Sequence, residues 1–413
     1  MNQRIFSLSE TAKILNVDKE TLRRWDNQGK LKSIRNPINN YREYRKEDIV
    51  IFEKGKIYFN ESQHSNNIPL RDYKSIELFA GAGGLALGLE QAGIKHLLLN
   101  EIDKYAVKTL RKNKPEWNVI EEDICNVDFR DYKNKIDLLT GGFPCQAFSY
   151  AGKKLGFEDI RGTMFFEFAR ALKETEAPVF LAENVRGLLS HDKGKTLKTM
   201  TEVLDELGYH VFEPQILKAI FYKVPQKRER LIIVGIKKDF MDKVQYSYPE
   251  PYGRIYTLKD ALKKGELYNC DVPKSEGQIY PNRKKEILDM VKPGECWRNL
   301  PIDIQKEYMK KSFYLGGGKT GMARRISWDE PCLTLTCAPA QKQTERCHPD
   351  ETRPFEIREY ARIQTFPDNW IFEGSQTQQY KQIGNAVPVN LAREIGYSLV
   401  RLLNDINKIE AQK

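Results

Sequence analysis

Residues 75–93 read SIELFAGAGGLALGLEQAG, and the order of their parts decides the fold class. SIELFA is short and apolar, which predicts a buried strand. The glycines that follow interrupt it, and LALGLEQAG then has the composition and length of a helix. A strand that enters a helix through a glycine loop exposes free N–H groups at the helix N-terminus and lets a ligand approach the backbone. Gly81-x-Gly83-x-x-Ala86 satisfies a loose nucleotide-binding pattern. Glu101 lies 20 residues beyond Gly81, at the end of the next apolar run, where a carboxylate can accept a ribose hydroxyl. A nicotinamide dinucleotide and S-adenosylmethionine both carry adenosine, so this loop alone fits either, and a purely structural turn has the same appearance.

The same rhythm continues on the C-terminal side. HLLLNEI, NVIEEDI, IDLLT, PVFLAEN and LIIVGI read as strands, and KYAVKTLRKN, TMFFEFARALKET and KTLKTMTEVLDELG as helices. Strands and helices alternating at this spacing predict a parallel α/β sheet with helices on both faces. From about residue 240 the rhythm gives way to Tyr-, Pro-, Lys- and Gly-rich sequence such as SYPEPYGRIY, which predicts a smaller loop-rich domain. Periodicity returns at IREYARIQTF and ends in a final helix, VPVNLAREIGYSLVRLLNDI.

On the N-terminal side, NESQHSNNIPLRD (60–72) is polar and contains Pro, as a linker does. Before it, FSLSETAKILNVDKETLRRWDNQGKL (6–31) predicts two short helices. Ser7 and Glu10 form a capping box, Asp18 caps the second helix and Gly29 stops it. IRNPINNYREYRKEDIVIF then predicts a turn, a short strand in which Tyr41 and Tyr44 alternate with Arg42 and Arg45, and a third helix.

Of 413 residues, 40% are hydrophobic and 30% charged, enough to bury a sizeable core in two or three domains. No apolar stretch approaches the ~20 residues that span a bilayer, and MNQRIFSLSE lacks the design of a signal peptide, so a cytoplasmic protein without membrane contact is expected. The 7 cysteines are odd in number and scattered, which predicts thiols. The spacing of Cys332, Cys337, Cys347 and His348 fits no common zinc pattern, and no metal is expected. The net charge of +10 is concentrated: residues 1–60 carry 13 basic against 8 acidic side chains, and residues 251–349 carry 18 against 12. Two basic segments around a near-neutral middle suit a protein that binds a polyanion and holds its chemistry between.

The chemistry collects at predicted strand ends. GGFPCQAFS (141–149) places Cys145 just beyond IDLLT, at the sheet edge where ligands bind in open α/β folds. Taken alone, a small buried Cys in a turn is the plainer reading. ENV (183–185) puts the carboxyl of Glu183 on the same edge, and QKRER (226–230) sends Arg228 and Arg230, two apart, toward one face. A nucleophile, an acid and two guanidinium groups around one crevice suit methyl transfer to carbon 5 of cytosine. That carbon becomes nucleophilic only when a thiolate adds to carbon 6, while a carboxyl group offsets charge at the ring nitrogen.

The ordered series FAGAGG, NEID, EDI, GGFPCQAFS, RGTMFF, ENV, QKRER, REYARIQTFPD and QIGNAVPV resembles the bacterial DNA (cytosine-5)-methyltransferases over about residues 74–405. Residues 4–58 resemble the winged helix-turn-helix of MerR and excisionase-type proteins. These resemblances imply a winged helix-turn-helix domain at 1–59 and a linker at 60–73. They also imply an S-adenosylmethionine-dependent, Rossmann-like catalytic domain at 74–240 and 350–413, and a target-recognition domain at 241–349. The catalytic residues they imply are Cys145 as nucleophile, Glu183 at the ring nitrogen, and Arg228 and Arg230 in support. Phe79, Gly81, Gly83, Glu101, Ile102, Asp123, Ile124, Met164 and Asn385 are implied for the S-adenosylmethionine pocket. Ile102 replaces an aromatic of some relatives, and Glu77 a more usual aspartate. Gln146 and Ser149 are implied at the DNA backbone, with Arg23, Arg24 and Arg42 as DNA contacts of the N-terminal domain. The segment 147–161 is implied to close over double-stranded DNA while the base is flipped. The expected setting is a restriction-modification system beside a cognate endonuclease, with autoregulation by the winged helix; the sequence leaves the oligomeric state open. A transfer-RNA methyltransferase and a non-catalytic S-adenosylmethionine-binding regulator are the rival readings, disfavoured by the long target segment and the intact Cys145, Glu183 and Arg228.

Overall fold

The computed structural model describes residues 5–15, 17–36, 40–52, 55, 68–144, 163–314, 321–342 and 345–412. The chain divides into two units, Met1–Ser65 with Glu250–Ile255, and Asn66–Pro249 with Tyr256–Lys413.

In the first unit, β1 (Ile5–Ser7) leads into α1 (Leu8–Leu15) and α2 (Lys19–Asn27), and β2 (Ile34–Arg35) and β3 (Arg42–Arg45) follow. The strands form an antiparallel sheet in the order β1-β3-β2. The predicted capping box is present: Ser7 Oγ accepts from the Glu10 N–H at 3.3 Å and the Glu10 carboxylate accepts from the Ser7 N–H at 2.8 Å. Asp18 caps α2 by accepting from the Thr21 N–H at 2.6 Å, and Gly29 takes a left-handed φ of 69° after its end. Ala12, Leu15, Leu22, Leu31, Tyr44 and Ile49 make the core. Tyr41 differs from expectation: it precedes the strand and is 72% exposed, whereas Tyr44 is fully buried.

The second unit is built on an eight-stranded sheet. Its strands are β4 (Tyr73–Leu78), β5 (Ile94–Glu101), β6 (Val119–Glu121), β7 (Leu138–Gly141), β8 (Val179–Val185), β9 (Tyr209–Val211), β10 (Gln215–Lys218) and β12 (Glu229–Lys237), ordered β10-β12-β8-β7-β4-β5-β6 with β9 paired to β12. The five strands from β8 to β6 are parallel. The expectation of an all-parallel sheet needs correction, because β12 runs antiparallel to β8, β9 and β10. The physical reason is the connection. No helix carries the chain from β10 to β12, so it folds back as a hairpin and enters the sheet from the edge where the parallel strands end.

Neighbouring residues on one strand serve opposite layers. Leu98 packs with Ile76, Leu78 and Phe168 on one face, and Leu99 with Ala86, Leu87 and Val107 on the other. The first layer is covered by α6 (Met164–Thr175) and α7 (Lys195–Glu206). The second is covered by α4 (Gly84–Gln91), α5 (Lys104–Asn113) and the final helix α13 (Val389–Glu410). Helix α4 and α13 approach closely: a Cβ on Gly88 would lie 2.4 Å from the Ala392 Cβ and 2.6 Å from the Val389 carbonyl oxygen. Between β12 and α11 (Ile357–Ile363), residues 256–349 form short helices and two-residue strands, among them β14 (Cys332–Leu333). Part of this segment has an apolar centre of its own, made by Ile287, Leu288, Trp297, Leu300, Met309 and Met322.

Candidate active site

The carboxyl ends of the parallel strands and the first residues of β12 surround a cavity of about 840 Å³. Its wall includes the loop after β4, the end of β5, Phe143 and Pro144 after β7, the end of β8, the turn before β12, residues 334–337, and the end of α12 (Gln376–Asn385).

One side is the glycine loop. Phe79 and Gly81 take left-handed φ of 57° and 54°, which turns the chain sharply out of β4. Glu101 closes the loop by accepting from the Gly81 N–H at 2.7 Å and from the Ile102 and Asp103 N–H groups at 2.9 and 2.8 Å. Ile102, 65% exposed, presents an apolar side chain to the same space. Opposite stands Asn385, whose Oδ1 accepts from Cys337 Sγ at 3.0 Å. An Asp103–Lys381 ion pair of 2.7 Å joins the two sides.

The other side holds the charged groups. Glu183 is buried and forms an ion pair with Arg230. The antiparallel direction of β12 explains that meeting, since it sets Ile232 opposite Glu183 and Arg230 opposite Val185 at the sheet edge. Burial pushes the Glu183 carboxyl up from the ordinary range, and Arg230 opposes that shift. Arg228 is 2% exposed and donates to the carbonyls of Leu335 at 3.3 Å, Gly384 at 3.0 Å and Asn385 at 3.3 Å. Among the described residues its Nε has no hydrogen-bond partner. Asn184 donates to the Phe143 carbonyl at 3.0 Å and so ties the end of β8 to the chain leading into Cys145. Cys145, Gln146, Ser149 and the segment 147–161 lie outside the described residues.

A family model, C-5 cytosine-specific DNA methylase, matches residues 73–401. The chain belongs to the C-5 cytosine-specific DNA methylases. It is 67% identical to the type II methyltransferase M.Eco47II of Escherichia coli across 98% of this chain and 97% of that one. It is 61% identical to M.PspPI of Psychrobacter sp. across 97% and 96%. A Spodoptera frugiperda DNMT2 variant of known structure shares the fold, with a TM-score of 0.56 at 16% identity over 80% of this chain and 99% of that one. Residues 7–44 match the MerR family of regulatory proteins. Among the described residues no helix is long and apolar enough to cross a membrane.

For a DNA methylase of this family, which depends on S-adenosylmethionine, the cavity is chemically suitable. A tightly turned glycine loop, a carboxylate at the end of β5 and an exposed apolar side chain can take an adenosine, and the carboxylates of Glu101 and Asp103 favour a cation. Of the residues expected there, Phe79, Gly81, Glu101, Ile102 and Asn385 line the cavity with Glu183, Arg228 and Arg230. Gly83, Asp123, Ile124 and Met164 are not on that wall. Gly83 instead permits close packing, since a Cβ there would lie 2.7 Å from Leu110. Ile124 points its side chain into the core beside Phe129, which leaves only its backbone for a ligand. Asp123 caps a turn by accepting from the Cys125 N–H at 3.0 Å.

The sequence does not single out Lys381 or Asn184, offers Cys337 only as a rejected metal ligand, and marks Glu77 only as a variant position. Asn184 was inside a quoted motif, while the others act across the chain and carry no local signal. In the methylase's N-terminal unit, Arg23 lies on α2 with a 2.8 Å partner in Glu20, and Arg24 is exposed beside it. Arg42 donates to Asp26 at 2.7 Å, which ties β3 to α2.

Proposed function

We propose that this enzyme transfers a methyl group to carbon 5 of a flipped cytosine in a specific double-stranded DNA sequence, as the modification partner of a restriction endonuclease. The observation that carries the mechanism is the buried Glu183–Arg230 pair facing the same cavity as the glycine loop and Glu101. S-adenosylmethionine, when bound, supplies the electrophilic methyl group. Phe79, Gly81, Glu101, Ile102 and Asn385 would hold it, with Asp123, Ile124 and Met164 reaching it only from beyond the cavity wall.

Cys145 adds its thiolate to carbon 6 of the cytosine, forming an S–C bond and moving electron density to carbon 5. Glu183, whose carboxyl burial pushes up from the ordinary range, donates a proton to the ring nitrogen and limits the charge that develops. Arg230 keeps that carboxyl aimed, and Arg228 presents guanidinium donors to the base and thiolate. After methylation, a water molecule takes the carbon 5 proton, the C–S bond breaks to release the Cys145 thiolate, and the ring nitrogen returns its proton to Glu183, which restores the aromatic ring. Gln146 and Ser149 would hold the strand around the vacated position. Residues 241–349 supply the base-reading surface, and the winged helix at 1–59 binds an operator through Arg23 and Arg24, with Arg42 bracing the wing.

The test is incubation of purified protein with bacterial DNA and methyl-labelled S-adenosylmethionine, followed by digestion to nucleosides. Label in 5-methylcytosine that vanishes in Cys145→Ser supports the mechanism. Label that persists in the variant, or that falls in another base, overturns it.

A further inference from the structure

Two glutamines from the quoted motifs QKRER and REYARIQTFPD meet behind the cavity wall. Gln226 and Gln364 are both fully buried. Gln226 Nε2 donates to Gln364 Oε1 at 2.9 Å, and Gln226 Oε1 accepts from the Leu335 N–H at 3.0 Å. Gln364 Nε2 donates to the carbonyls of Ile383 at 2.7 Å and Ala386 at 3.2 Å. The amide orientations are forced, because Leu335 offers a donor and Ile383 and Ala386 offer only acceptors. The two side chains therefore join four segments: the stretch before Arg228, the end of α11 that carries Gln364, the 334–337 wall, and the end of α12. Arg228 bonds the same segments from the cavity side, through Leu335, Gly384 and Asn385.

We propose that Gln226 and Gln364 are positioning residues that fix Arg228 and the Gly384–Asn385 turn relative to each other, so that the base and cofactor sides of the cavity are held in one geometry. Neither side chain lines the cavity, so both act through the groups they hold. Buried amides fully satisfied in this way specify one arrangement, and removal of one leaves its partners unpaired inside the protein. Gln364 grips the cofactor-side turn directly, whereas Gln226 grips the 334–337 wall and the segment leading to Arg228. Their loss should therefore be distinguishable.

The proposal rests on the cytosine methylation reading, and the experiment keeps the two separable. Gln226→Leu, Gln364→Leu and Gln226→Glu are compared with the wild type for kcat, for KM of S-adenosylmethionine, and for its Kd by calorimetry, at temperatures where unfolding curves show each variant folded. Gln226→Leu is expected to lower kcat roughly 100-fold, the effect of a misplacement of about 1 Å, with KM within about twofold. Gln364→Leu is expected to lower kcat and raise KM and Kd together. In Gln226→Glu an ionised carboxylate faces the Gln364 oxygen and repels it, while the protonated acid donates an O–H as the amide did. Its kcat should therefore rise as pH falls, giving an optimum more acid than that of the wild type. Wild-type kcat in a folded Gln226→Leu, or an unshifted pH profile in Gln226→Glu, overturns the proposal. Should wild-type protein leave cytosine unlabelled, the methylation reading fails. The bracket is then judged from the cofactor Kd, and an unchanged value in Gln364→Leu overturns it.

Discussion

Of the buried carboxyl groups that face the cavity, Glu183 and Glu77 differ most in company. Glu183 has Arg230 beside it, whereas Glu77 has the hydroxyl of Thr140 at 3.5 Å and no basic partner among the described residues. Burial pushes Glu77 up to about 8, against weaker help from the Ala86 backbone and Thr140. A carboxyl with a folded pKa above its unfolded one stabilises the fold fully below the unfolded value, and that contribution is lost as pH rises through the folded value. The resistance of the catalytic unit to urea should thus decline from about pH 4.5 to about pH 8. Glu77→Gln should flatten that decline, and unfolding midpoints at a series of pH values check it. Glu183→Gln retains hydrogen bonding but cannot transfer a proton, so turnover should fall by roughly 10²–10⁴-fold, measured as methyl incorporation at saturating cofactor. Glu183 was legible in the sequence because it sits at the end of β8 inside the short motif ENV. Glu77 as a perturbed acid was not, because its pKa depends on what covers it. The glutamine pair was invisible for a related reason: its partners lie more than a hundred residues apart.

The alternation of strands and helices could be read at the level of elements because apolar spacing reports local structure. The direction of β12 could not, since a strand's own residues do not say whether the chain reaches it by a helix or by a hairpin. The same holds for the packing of α4 on α13. Ala- and Gly-rich faces are ordinary in sequence, yet a Cβ on Gly396 would lie 2.6 Å from the Ala92 Cβ, and Gly88 is equally tight. Gly88→Leu should push these helices apart and destabilise the unit by about 1–3 kcal/mol, because the added side chain has no room beside Ala392. Thermal unfolding with and without S-adenosylmethionine measures the loss, and an unaltered midpoint would refute the close contact.

At the scale of the molecule, the operator role proposed for the N-terminal unit can be tested apart from methylation. Arg23→Ala with Arg24→Ala should relieve repression of a promoter reporter about tenfold or more, each lost phosphate or base contact being worth roughly 1 kcal/mol or above, while genomic target methylation persists. Unchanged repression would remove the operator role. The basic N-terminal stretch is legible in the charge distribution, whereas the 256–349 segment reads only as loop-rich, because its core is assembled from scattered apolar residues without a period. The α4–α13 contact reaches further than stability. The helix opening behind the glycine loop is completed by one synthesised about 300 residues later, an interval of roughly 15–60 s at about 5–20 residues per second. A nascent chain therefore carries the parallel strands of its sheet long before residues 384–387 complete the cavity wall. Methylation competence arrives late in translation, and DNA near a polysome meets no half-made enzyme able to mark it.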